Sequence, residues 1–554
     1  MMNKMRPTAA FMALALVSAC DAGTVAVDAG RGDAPLGDRD AHAGDHDAGA
    51  SDSDASNTGM GADWGFRPMP GGFVFENYTN TPVVTNLTSV EMRRLLGPSV
   101  CESATGECVL VPQARQWMEQ QNTAMNGGHC EGMAVAAGLF YSGALEATPF
   151  GNASPFALTL TGNEPLQREL AFWYATQSTT SLESNLSPRQ VVERLERDLV
   201  RGRAFGGTVL GVYTSPGRGN GHAVTPYAVR RSSADVAEIL VYDNNFANQE
   251  KVVTVNLTAD TWTYITSTNP SEMPINYAGD AMTRTLSVSD IEPRRTSLPH
   301  ACPFCGDAAM GGTRGSVQLS LLGEGNLAIA DDGGRMTGTN AAGEIVNGIP
   351  GASLRNARSG LGNDSPEPTY TLPQEGTLTV TLDGSRLTSA SPSEVLITGQ
   401  GFSLGVENIQ LDPAQVDTIT LRSDSPDVQY DASGAETPIL VLAFQRPGAD
   451  YLIELRATGM TTGQTLRLWV DLATQRVHIG FEDSTSAPTI ALYMERVSES
   501  GTLSFLHRGV ASTAASLMEI SYADWAGNGM PLALEIDDTG DGTIDRTVSL
   551  SDQD

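Results

Sequence analysis

From Gly315 onward the chain is written in short β-branched runs separated by Gly, Asp, Ser and Pro. Ser316 to Leu322, Thr377 to Leu382, Thr418 to Leu421, Ile439 to Phe444, Leu466 to Asp471 and Ile490 to Arg496 are each of strand length and bounded by turn formers. Strands of this kind bury one face and need a second sheet to cover it. Residues 315–554 are therefore predicted to form one or two β-sandwich-like modules.

The preceding part reads differently. Helical patterns at Val111 to Asn122, Cys130 to Ser142, Leu166 to Thr176 and Pro188 to Arg201, the last capped by Ser187, are followed by alternating strand segments. This predicts an α+β domain over residues 64–300.

At the N-terminus, Lys4 and Arg6 precede an apolar run from Ala9 to Val17 closed by Ser18 and Ala19. That is a secretory signal, too short to span a bilayer as a mature helix. Val17-Ser18-Ala19-Cys20 resembles a lipobox, which implies acylation of Cys20 and a lipid-anchored, exported protein of the bacterial cell envelope, at the outer membrane or cell surface. Residues 21–63 are mostly Asp, Ala, Gly and Ser and cannot offset their chain entropy by burial, so they are predicted to be a disordered tether. The net charge of -31 excludes a nucleic-acid partner, since no continuous basic face could neutralise phosphates.

In an oxidising compartment Cys101 and Cys108 are predicted to pair. Cys302-Pro303-Phe304-Cys305 could be redox-active, half of a zinc site or a structural link; with no second CxxC and no completing His and Cys cluster, a structural disulfide is the favoured assignment. Cys130 is left without a partner.

Cys130 follows the glycine loop Asn126-Gly127-Gly128-His129 and opens an apolar, small-residue helix. A helix N-terminus favours thiolate and offers free amides to an oxyanion. His222 begins a strand, and the next strand, Val236 to Tyr242, ends at Asp243. An antiparallel pairing makes His222 and Asp243 neighbours. His129 is adjacent to Cys130 in a tight loop, which leaves His222 as the base.

The order Cys, His, Asp, with Gly-His-Cys-Glu-Gly-Met opening a helix, Gly-His-Ala-Val opening a strand and Val-Tyr-Asp-Asn closing the next, resembles the papain-like cysteine peptidases, in particular their bacterial C39-like branch. The resemblance covers about residues 65–290. It implies a papain-like fold, a helical half plus an antiparallel sheet. It further implies Cys130 as nucleophile, His222 as general base and later acid, Asp243 as orienting group, and a peptide or protein substrate cleaved through a thioester. The thiol pKa would then be depressed to about 3 to 4. The Gln that the family places shortly before its cysteine to hold the oxyanion is Ala124 here, so Asn126, Asn122 and Gln121 are the substitutes. The aromatic nearest the third catalytic position is Phe246.

Gly334-Arg335-Met336-Thr337-Gly338 through Gly348-Ile349-Pro350-Gly351 resembles a recurring extracellular bacterial β-module. Near the C-terminus, Asp537, Thr539, Asp541 and Asp545 resemble a shortened EF-hand-like loop with Val548 where a bidentate Glu is expected. The alternatives there are a structural calcium and an acidic β-hairpin without metal; the hydrolytic chemistry requires no cofactor. Competing functions are a catalytically inactive surface-binding lipoprotein, and a transglutaminase-like or peptidoglycan amidase activity on the same Cys-His-Asp order.

Overall fold

The computed structural model describes residues 60–553 except 181–184, 215–219, 268–273, 306–314, 361–366, 483–487, 513–515, 526 and 528. Cys20, the expected signal segment and residues 21–59 of the expected tether lie outside the described residues; Met60–Asp63, the last four residues of that expected tether, are instead a strand of the sheet.

Helices form where the sequence supplies their ends. Helix α1 (Ser89–Leu96) carries a capping box between Thr88 and Glu91. It is followed by α2 (Pro112–Ala124), α3 (Cys130–Ser142), and α4 (Glu164–Ala175), which is capped by the Asn163 side chain. Helix α5 (Pro188–Leu199) has a Ser187–Gln190 capping box. Strands β1 (Met60–Asp63), β2 (Thr208–Val212), β3 (His222–Arg231), β4 (Val236–Tyr242), β5 (Glu250–Asn256), β6 (Thr261–Thr266), β7 (Ile275–Asp280) and β8 (Leu286–Asp290) join in one antiparallel sheet. Its order is β7-β6-β5-β4-β3-β2-β8, with β1 added beside β3.

The expected papain-like layout, a helical half set against a sheet, is not what the chain shows. It is mostly β, 42% strand against 19% helix, and built on large antiparallel sheets. One physical reason is the placement of α2. Instead of joining the other helices it docks on the neighbouring β region, where Arg115 pairs with Glu495 at 2.7 Å, Gln116 accepts from the Ser403 hydroxyl and Gln120 bonds Ser320.

That β region is a sandwich with a single core running from Val317 to Leu550. One sheet has eleven strands and the other nine, all paired antiparallel, and both run the length of the region. Its first strands are β9 (Ser316–Leu322), β10 (Asn326–Asp331), β11 (Met336–Thr339), β12 (Ile345–Asn347) and β13 (Ser353–Arg355). Next come β14 (Thr369–Pro373), β15 (Thr377–Asp383) and β16 (Ser391–Gly399), and hairpins then alternate between the sheets to the C-terminus. Strict in–out alternation, as in β15, lets each sheet give one face to the shared core.

The docking face under α2 is rich in carboxylates. Burial, then the like charges of Glu394, Glu454 and Glu119, push Glu407 up to about 8; burial chiefly raises Glu454 and Asp450 to about 7. Groups raised in the folded state contribute stability that is complete below their unfolded values near 4 and is lost as pH rises through 7 to 8. The thermal midpoint is therefore expected to be lower at pH 9 than at pH 5.5. Glu407→Gln is expected to recover on the order of 1 kcal/mol at pH 9, about 2 to 4 °C in a calorimetric scan. An unchanged midpoint in the variant would show that Glu407 stays well solvated.

Candidate active site

Cys130 is the first residue of α3, after the loop in which Gly128 has a φ of +111°. His222 begins β3 and Asp243 follows β4, and β3 pairs with β4 antiparallel, so the start of one strand lies beside the end of the next. The result is a buried chain of contacts. His222 Nε2 is 2.7 Å from Asp243 Oδ1, and the other ring nitrogen, Nδ1, lies with the Cys130 sulfur against one point. A Cβ placed on Gly360 would sit 2.4 Å from His222 Nδ1 and 3.0 Å from Cys130 Sγ. The backbone N–H of Ala223 donates to Cys130 Sγ at 3.3 Å.

Asp243 is held on every side. Its Oδ1 also accepts from the Asn245 amide at 2.9 Å, while Oδ2 accepts from Tyr264 Oη at 2.5 Å and Thr266 Oγ1 at 2.8 Å. Burial alone would raise this carboxyl, but the charge of His222 and these donors keep it below its ordinary value. Burial would likewise lower the imidazole; Asp243 foremost, and then Cys130, reverse this and raise His222 to about 10. The Cys130 thiol departs from the expected depression. Burial pushes it up, and the attraction of His222 reverses this only in part, because the sulfur is fully buried.

The candidate oxyanion donor is one that spacing did not reveal. Asn77 Nδ2 donates to the carbonyl oxygen of Ser359 at 2.9 Å, and the backbone N–H of Cys130 donates to the same oxygen at 3.3 Å. The orientation of the Asn77 amide is set by its own Oδ1, which accepts from the His129 N–H at 2.7 Å and the Tyr78 N–H at 3.0 Å. Gly128 leaves room for that oxygen, since a Cβ there would lie 2.2 Å from it.

The three residues expected in this role are elsewhere. Asn122 is engaged at both ends with the backbone of Leu87, Gln121 accepts from the Ser178 hydroxyl, and Asn126 is exposed. Asn126→Ala is accordingly expected to change Cys130-dependent turnover less than about twofold, within the range of an ordinary surface substitution. A tenfold loss in the same assay would return it to the site.

Asn244 Nδ2 ties the Cys130 carbonyl (3.1 Å) to that of Ala223 (2.9 Å), joining α3 to β3 across the site. His129 stacks on Tyr78 at 4.0 Å and is held near Tyr78 O and Asn86 Oδ1, away from the thiol. Beneath the site Glu131 is fully buried between two arginines, 2.5 Å from Arg294 and 3.2 Å from Arg358. A groove of about 480 Å³, lined by Glu76, Tyr78, Val84 and Gln167 among others, opens beside Asn77 and shares it with the site.

Cys101–Cys108 and Cys302–Cys305 are disulfides, and Cys130 is a free, buried cysteine. The calcium candidates fall in the turn between the last two strands. Asp537 accepts there from the backbone N–H groups of Thr539, Gly540, Asp541 and Gly542, while Asp545 accepts from Asp538 N. Among the described residues no group of three or more His, Cys, Asp or Glu is placed to share a metal ion. No helix among them is long and apolar enough to cross a membrane.

No family model, curated protein or solved structure matches the chain.

Proposed function

We propose that this protein is a thiol-dependent hydrolase of peptide or amide bonds, exported and held at the cell envelope by a lipid on Cys20. The observation that carries the reading is the convergence on one peptide. Two N–H donors, from Cys130 and Asn77, meet on the Ser359 carbonyl oxygen, and the Cys130 sulfur and His222 Nδ1 face the next residue, Gly360, with Asp243 behind the imidazole. Nucleophile, base, orienting group and oxyanion donors are the parts that acyl transfer needs.

In this mechanism Cys130 attacks the carbonyl carbon, the two donors take up the charge developing on oxygen, and His222 passes the thiol proton to the leaving amine. Asp243 keeps the imidazole oriented and stabilises its charged form. The motif resemblance to papain-like peptidases favours a peptide substrate, and the disulfides are consistent with an oxidising compartment. The buried thiol speaks for the second reading, a surface-binding protein with an inert cleft.

Iodoacetamide separates the two. Arg358→Ala removes the guanidinium that anchors the segment over the thiol. In that full-length variant, labelling of Cys130 is expected to persist below pH 7 and to fall at least about tenfold on adding His222→Ala. Slow labelling with a midpoint near 8.5 in both proteins, the behaviour of an ordinary thiol, would favour the binding protein.

A further inference from the structure

The group occupying the site belongs to the chain itself. Residues 356–360 follow β13 and run into the cleft, where Arg358 forms a parallel bridge with Gly221, the residue before His222. Ser359 N–H donates to Gly221 O at 3.2 Å, and Ser359 O takes both oxyanion donors. On the far side of the Ser359–Gly360 bond, Gly360 O accepts from Asn245 Nδ2 at 3.1 Å. Gly360 has a φ of +81°, and its missing side chain is the space that His222 Nδ1 and Cys130 Sγ fill. Upstream, Arg358 is buried. Its N–H donates to Gln177 Oε1 at 2.8 Å, and its guanidinium reaches Tyr213 Oη at 2.8 Å and Glu131.

A segment that merely blocked the cleft would have no need to place a carbonyl on both oxyanion donors, nor to put a glycine against the nucleophile and the base. Here the peptide is held by hydrogen bonds on both sides of one bond, with its glycine against the nucleophile and the base. We infer that the Ser359–Gly360 bond is a substrate of this site and that the chain cleaves itself there. The inference rests on the thiol-hydrolase reading and names its first substrate.

The chemistry closes with water as the only co-reactant. The step starts from the form of the Cys130–His222 pair that shares one proton, and that proton rests on His222 Nδ1 as the sulfur bonds to the Ser359 carbonyl carbon. The bond from that carbon to the Gly360 nitrogen breaks, and the nitrogen takes the proton from His222 and leaves as an amine. Water then attacks the thioester, giving up a proton to His222, and the sulfur departs and is reprotonated. The products are a chain ending in the Ser359 carboxylate and a chain beginning with the Gly360 amine. Holding the reacting groups within one molecule supplies the high effective concentration that makes a single-turnover cut fast.

The two pieces do not separate on cleavage. Strand β9, before the cut, is hydrogen-bonded to β14 and β16 after it, and β10 is bonded to β15. The sandwich is thus completed by both products, which stay associated in native buffer. The new ends are free to leave the cleft, opening the sulfur to an external substrate.

The test is denaturing mass spectrometry of the purified full-length chain over a day at pH 7. The wild type is expected to give a fragment with Gly360 at its N-terminus, while Cys130→Ala stays whole. Gly360→Ala, whose methyl group would collide with His222 and Cys130, is expected to be cut at least about 100-fold more slowly. Cys130→Ser, which keeps the packing of the site, guards against loss of cleavage through misfolding and is expected to stay whole. A wild-type chain that stays whole, or a cut that persists in Cys130→Ala, would overturn self-cleavage. In either case, iodoacetamide labelling of Arg358→Ala with and without His222→Ala tells whether the hydrolase reading survives. His222-dependent labelling below pH 7 retains it and makes the segment a plug, whereas ordinary thiol behaviour removes both.

Discussion

Asn77→Asp is expected to lower the rate of Cys130-dependent cleavage by about 10²- to 10³-fold, the loss found on removing one oxyanion donor. The substitution preserves the shape of the side chain and the oxygen that accepts from His129 N and Tyr78 N. It removes only the N–H that points at the Ser359 carbonyl, and it sets a negative charge where the oxyanion would form. Because Asn77 is not bonded to the sulfur or to His222, iodoacetamide labelling of Cys130 in an Arg358→Ala background is expected to remain dependent on His222, with its midpoint moved up by the new carboxylate. The defect then lies in the acyl-transfer step and not in making the nucleophile. Cleavage at the wild-type rate would remove Asn77 from the site and leave the Cys130 amide as the sole donor.

The largest effect on stability is expected from Glu131→Gln. The carboxylate is fully buried and faces two buried guanidinium groups, on Arg294 and Arg358. Their charges hold it below its ordinary pKa against a burial cost that would raise it. Removing one partner of a buried ion pair strands the others, at a cost of about 3 to 5 kcal/mol. A fall of roughly 6 to 20 °C in the thermal midpoint is expected on that basis. Arg358 also loses one of its anchors, so the 356–360 segment is expected to loosen in the cleft and Cys130 to become more open to labelling. Retained stability would mean that water reaches the triad.

The pairing of Cys130, His222 and Asp243 was legible because each stands at a place with local meaning: a helix start, a strand start and the end of the adjacent strand. Antiparallel pairing of β3 with β4 is a short-range consequence of their order, and it brings the last two together. Asn77 was not legible. It lies in a non-helical, non-strand stretch far before Cys130, and its position is set by hydrogen bonds to Asn244, His129 and Tyr78, none of which leaves a mark in spacing. Proximity in sequence favours Asn122 and Gln121 instead, but Asn122 is engaged with the backbone of Leu87 and Gln121 with the Ser178 hydroxyl. The thiol was misjudged for a related reason. A helix N-terminus and an imidazole depress a cysteine that water can reach, whereas here the carbonyl of Ser359 and the packing around it bury the sulfur and reverse the balance.

Local patterning determined the caps and extents of the helices, the alternation of the sandwich strands and the pairing of the neighbouring cysteines, since these depend on residues close along the chain. Tertiary structure alone decided that α2 leaves the other helices for the sandwich, that both sheets share one core, and that a connection between β13 and β14 delivers Ser359 and Gly360 to Cys130. Those outcomes are set by burial, charge pairing and hydrogen bonds between residues up to 380 positions apart, and a one-dimensional pattern does not encode which distant surfaces meet.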